Sequence, residues 1–68
     1  MVRVVAEVLP DRRVAEVELE RGTVEELLSK LGMGREGAVV VRGGVPLVEE
    51  EVLRDGDRVV VYRAASGG

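Results

Sequence analysis

The chain contains no cysteine and no histidine. Their absence excludes disulfides, thiolate metal sites and thiol redox chemistry, and it removes the commonest general base and metal ligand. Phenylalanine, tryptophan, isoleucine, asparagine and glutamine are missing as well, and Tyr62 is the single aromatic residue. Without a disulfide or a thiolate metal to staple it, a domain of 68 residues must be held by its apolar core alone. A basic excess is also lacking. The formal net charge is −3, which argues against sequence-independent nucleic-acid binding. No apolar run approaches membrane-spanning length, and Met1 leads directly into a strand-like pattern. The expectation is a soluble, cytoplasmic protein that engages neither nucleic acid nor membrane.

What is present is valine, leucine and alanine in two different rhythms. Val2 to Leu9 reads as a strand, with Arg3, Val5 and Glu7 on one face and Val2, Val4, Ala6 and Val8 on the other. Val14 to Glu20 alternates again, with Ala15, Val17 and Leu19 on its apolar face, and the turn formers Pro10 and Asp11 lie between the two. The period then changes. Val24, Leu27, Leu28 and Leu31 fall at i, i+3, i+4 and i+7, the stripe of an amphipathic helix. Thr23 and Glu26 have the spacing of a capping box, and Gly32 stands where a helix ends in a left-handed residue. Ala38 to Arg42 reads as a short strand, and Gly43-Gly44 as a hairpin turn. The return run Val45 to Val48 is confined to an edge by Pro46. Asp55-Gly56-Asp57 forms a turn into a last strand, Arg58 to Arg63.

The order β-β-α-β-β-β offers one helix, whose apolar stripe is buried only across one face of a mixed sheet. That predicts an α+β fold, a β-grasp, over residues 1–63, with the first and last strands side by side. Ala64 to Gly68 lack any period and are expected to extend as a tail ending in Gly67-Gly68.

Catalytic machinery is hard to assemble. Gly32 and Gly34 follow a helix instead of opening one, so they read as a loop, not a phosphate cradle. Asp55 and Asp57 read as turn residues, and Glu49 to Glu51 as a solvated run. No Ser-His, Cys-His or metal-ligand constellation exists, so an enzyme is not expected. Two features remain. On the sheet face away from the helix, Arg42 is expected to point to solvent and to bring Val40 and Ala38 with it. In the last strand either Val59 and Val61 or Val60 and Tyr62 face outward; the pattern leaves both open. In either case a strip of valines flanked by arginines forms a candidate docking surface. The second feature is the tail. Five extended residues reach roughly 17 Å, enough to thread a narrow channel, and terminal glycines allow a close grip on the backbone. A terminal carboxylate reacts only after activation, typically as an acyl-adenylate made from ATP, and the chain has no nucleotide site of its own.

The element order, "AVVVRGGVPL", "VLRDGDRVVVY" and the closing "GG" together resemble the ubiquitin-like ThiS/MoaD family of sulfur carriers and small archaeal protein modifiers. The resemblance implies that an E1-like adenylating enzyme uses ATP to activate the Gly68 carboxylate, with Gly67 and Ser66 recognised alongside it. A persulfide or sulfide then yields a thiocarboxylate that serves a downstream acceptor enzyme in thiamine, molybdopterin or tRNA thiolation. In modifier relatives the activated end is joined to target protein lysines instead. The resemblance also implies docking of the activating enzyme on Val60 and Tyr62, with Val40, and it sends Val59 and Val61 inward. No bound cofactor is implied. A second resemblance, to the non-covalent TGS modules, rests on "ELERGTVEEL" and "LRDGDRVVVY" and does not account for the terminal glycines.

Overall fold

The computed structural model describes residues 1–34 and 37–63. Strand β1 (Val2–Leu9) turns into β2 (Arg13–Leu19), followed by helix α1 (Val24–Lys30). Strands β3 (Ala38–Arg42) and β4 (Val45–Leu47) form a hairpin, and β5 (Arg58–Arg63) ends the described chain. The five strands form one sheet in the order β2-β1-β5-β3-β4. Strands β1 and β5 pair in parallel, as the single helical crossover requires, while the other pairings are antiparallel. This is the β-grasp arrangement expected from the sequence, with Pro46 on the edge strand.

The core lies between α1 and one sheet face. Val4, Ala6 and Val8 of β1, Leu19 of β2, Val40 of β3, and Val59 and Val61 of β5 are buried against Val24, Leu27 and Leu28 of the helix. Leu53, from the segment joining β4 to β5, is 1% exposed and closes the core beneath the start of the helix. Its amide donates to the Gly22 carbonyl at 2.6 Å. Gly22 has φ +79°, and a Cβ there would stand 3.0 Å from the Leu53 carbonyl oxygen, so both backbone conformation and space call for glycine.

The helix is short, and its ends carry much of its definition. Thr23 Oγ1 accepts a hydrogen bond from the Glu26 amide at 3.1 Å, which is half of the expected capping box. The other half differs. The Glu26 carboxylate reaches back past the cap and accepts from the amides of Glu20 (2.7 Å), Arg21 (2.8 Å) and Gly22 (3.0 Å). It thereby ties the end of β2 to the first turn of α1. At the other end, the amides of Gly32 and Met33 donate to the carbonyls of Ser29 and Leu28, a Schellman closure.

The amide of Glu20, followed by those of Arg21 and Gly22, holds the Glu26 carboxyl below its ordinary value of 4.5 against the opposing effect of partial burial. A group whose pKa is depressed on folding contributes stability above its unfolded value, and that contribution disappears as pH falls through the folded value. Glu26→Gln is therefore expected to melt at a lower temperature than the natural chain at neutral pH. The two melting curves should converge as the pH drops below the ordinary glutamate range. A gap that persists unchanged in acid would contradict this role for the ionised carboxylate.

Candidate docking face and carrier end

The sheet face away from α1 is uncovered among the described residues, and strand register determines what it presents. Val14 of β2 pairs with Glu7 of β1, Glu7 with Val60 of β5, Val60 with Val41 of β3, and Val41 with Pro46 of β4. These five residues form one row across the whole sheet. A neighbouring row runs from Leu9 through Tyr62 to Val39. On the other side lies a row of Glu16, Val5 and Arg58. Val14, Val39 and Tyr62 are 68%, 50% and 48% exposed, large values for apolar and aromatic side chains on one contiguous face. Val5, Val14, Val41, Val60 and Tyr62, together with the charged Glu7 and Arg58, line a shallow groove of about 440 Å³.

Val60 and Tyr62 stand on this face, and Val59 and Val61 point into the core. Val40 does not belong to the docking surface. It is 2% exposed, pairs with the fully buried Val61, and packs in the core. The expected parity of β3 is inverted because Arg42 is not on the open face. Its guanidinium leaves on the core side, at the rim, and binds the segment leading into β5: Nη1 lies 2.9 Å from Asp57 Oδ2, and Nη2 lies 3.6 Å from Glu51. A long side chain with a charged tip can leave from the apolar side of a strand when a partner waits at the edge. With β3 in this register, Val39 and Val41 take the outward positions that Ala38 and Val40 were expected to hold.

The acidic turn residues act structurally. Asp57 Oδ2 also accepts from the Arg54 amide at 2.9 Å; that bond first, and then Arg42, keep the Asp57 carboxyl below its ordinary value despite partial burial. Asp55 Oδ1 accepts from the Arg3 amide at 2.8 Å. The Gly56 amide donates to the Arg3 carbonyl and the Val5 amide to the Asp57 carbonyl, continuing the β1–β5 pairing into the turn. The "RDGD" sequence thus fixes where β5 begins. The far end of β5 is held by Arg63, whose Nη1 lies 3.1 Å from Asp11 Oδ2 in the β1–β2 turn. Among the described residues no group of three or more acidic side chains is placed to hold a metal ion. Ser66, Gly67 and Gly68, the expected carrier end, lie outside the described residues.

A one-helix β-grasp with an apolar open face and a central strand leading to the C-terminus defines a ubiquitin-like protein. The solved structure of a ubiquitin from Caldiarchaeum subterraneum superposes with a TM-score of 0.74 over 98% of both chains at 17% sequence identity, a likeness of fold. No family model matches the chain. A sulfur carrier protein of Thermus thermophilus, TtuB, is 40% identical over 60 residues, covering 88% of this chain and 91% of the relative. An uncharacterized protein of Archaeoglobus fulgidus is 36% identical over 58 residues, 85% of each chain. The chain therefore belongs to the ubiquitin-like sulfur carriers of the ThiS/MoaD type.

Proposed function

We propose that the chain carries sulfur as a thiocarboxylate on Gly68 and receives it after ATP-dependent activation by a separate E1-like enzyme docked on the open sheet face. The observation that carries this reading is the combination of membership in a sulfur-carrier family with the absence of any cysteine. A carrier without a thiol must hold its cargo on another group. A carboxyl preceded only by Ala, Ser and Gly suits a narrow active site in a partner, whereas side-chain carboxylates on the sheet stand beside bulkier neighbours.

The chemistry balances without any group on the folded domain. The Gly68 carboxylate attacks the α-phosphorus of ATP in the partner, pyrophosphate leaves, and an acyl-adenylate forms. Hydrosulfide then adds to the acyl carbon, AMP leaves with its bonding electrons, and a proton is released as the thiocarboxylate forms. A donor persulfide reaches the same product through an acyl disulfide that a thiol reduces. The downstream acceptor enzyme takes sulfur from this group. The same activated carbonyl can instead acylate a lysine amine on a target protein. Ser66 and Gly67 are the residues that a narrow channel would grip.

Docking rests on Val60 and Tyr62, joined by Val39 and Val41 from β3. The test is ATP–pyrophosphate exchange by the activating enzyme of the same organism, with this chain as the varied substrate. Exchange is expected with the natural sequence. Tyr62→Asp should raise KM by roughly 10- to 100-fold, because a desolvated charge replaces an aromatic contact. Its melting temperature should change little, since the ring is half exposed. Absence of exchange with the natural chain would refute the proposal, and unchanged KM in Tyr62→Asp would refute the docking face.

A further inference from the structure

Glu7 is out of keeping with its row. On the open face it is flanked directly by Val14 on β2 and Val60 on β5, with Val41 and Pro46 beyond. It is exposed, and it forms no ion pair or side-chain hydrogen bond with the described residues. Arg3, on the same face of β1, is satisfied locally and lies 3.8 Å from Glu18. Arg58, which lines the same groove from the first residue of β5, and Glu16, on the edge strand β2, also form no ion pair with the described residues. Glu7 lies on β1, an interior strand, between the apolar Val14 and Val60 of the band.

A partner that covered this band with apolar atoms alone would strip water from an ionised carboxylate and give nothing back, a loss of several kcal/mol. The isolated chain avoids that loss because solvent hydrates Glu7. We infer that the open face is built for a partner whose apolar contact surface presents a lysine or arginine to Glu7, and that this pairing selects the activating enzyme from other apolar surfaces. The inference rests on the docking proposed above and adds to it the charge that the partner must bring. Val14, Val41, Val60 and Tyr62 supply contact area that many partners satisfy, whereas Glu7 makes an unmatched one costly. Glu7 is a specificity-determining contact remote from the carboxyl terminus that reacts. Its substitution should weaken association and leave the chemical step alone.

The experiment is pyrophosphate exchange with the activating enzyme of the same organism, comparing the natural chain with Glu7→Gln, Glu7→Lys and Glu16→Lys. The expected result is a KM raised about 10- to 100-fold in Glu7→Gln and further in Glu7→Lys, with kcat within about twofold. Glu16→Lys, a reversal at the margin of the same face, should leave KM nearly unchanged. Melting temperatures of the Glu7 variants should match that of the natural chain, because the carboxylate has no internal partner to lose. Normal exchange by the natural chain with unchanged KM in both Glu7 variants would overturn the charge assignment and leave the proposed function standing. No exchange by the natural chain would overturn both. Dimerisation of the natural chain in sedimentation equilibrium, abolished by Glu7→Lys, would identify a second copy as the occupant and would also overturn the inference.

Discussion

Val40→Asp is expected to unfold the domain, and Val41→Asp, one residue further on, is expected to leave it folded with weakened docking. The difference is the parity of β3. Val40 is 2% exposed and sits beside Val61 under the helix. A carboxylate placed there has no cation within the core, since no polar or charged side chain is buried among the described residues. Burying an unpaired charge costs several kcal/mol, and a chain of this length has a total stability of only ~3–10 kcal/mol. Loss of cooperative melting and of dispersed amide signals should follow. Val41 belongs to the opposite face, in the row with Glu7 and Val60. Aspartate there forgoes β-propensity and one apolar contact, about 1 kcal/mol, and should raise the KM for activation much as Tyr62→Asp does. A folded Val40→Asp variant with impaired docking would restore the parity expected from the sequence.

Removal of Gly67 and Gly68 should abolish activation and sulfur loading while leaving the melting temperature unchanged. The described core is assembled from residues up to Val61 of β5. The shortened chain still ends in a carboxylate, on Ser66, but that group falls short by ~7 Å of extended chain. Misplacement of a reacting group by even ~1 Å can cost about 100-fold in rate. Pyrophosphate exchange should therefore vanish, although binding through the open face remains, and the truncated chain should compete with the natural one for the activating enzyme. Residual exchange at a comparable kcat would show that the terminal carboxyl is not the activated group.

The fold was legible because its signals are local and agree with one another. The period-two strands, the Val24-Leu27-Leu28-Leu31 stripe, the Thr23 cap and Gly32 each identify an element, and one helix with five strands leaves few ways to bury one stripe. The error at Val40 arose where a single charged residue served as the marker of a face. Arg42 is charged but partnered, and its ion pairs with Asp57 and Glu51 bridge residues far apart in sequence, which no local pattern encodes. Leu53 was overlooked for a related reason. It lies in an irregular segment with no period, and it enters the core where its amide is bound to the Gly22 carbonyl across the chain. The reach of Glu26 to three preceding amides extends a motif whose spacing was visible but whose geometry was not. On the open face, Val60 and Tyr62 could be proposed from the strand alone. The row that joins them to Val14, Glu7 and Val41 depends on the β2-β1-β5-β3-β4 strand order and on registers that sequence periodicity does not specify.

The central claim, that Gly68 carries the sulfur, is tested most directly by intact-protein mass spectrometry with fragmentation. The natural chain is incubated with ATP, sulfide and the activating enzyme of the same organism. The account predicts an oxygen-for-sulfur mass increase confined to the fragment that ends in Gly68, dependent on ATP and absent from the chain lacking Gly67 and Gly68. An unmodified C-terminal fragment under conditions that support pyrophosphate exchange, or sulfur found elsewhere on the chain, would contradict it.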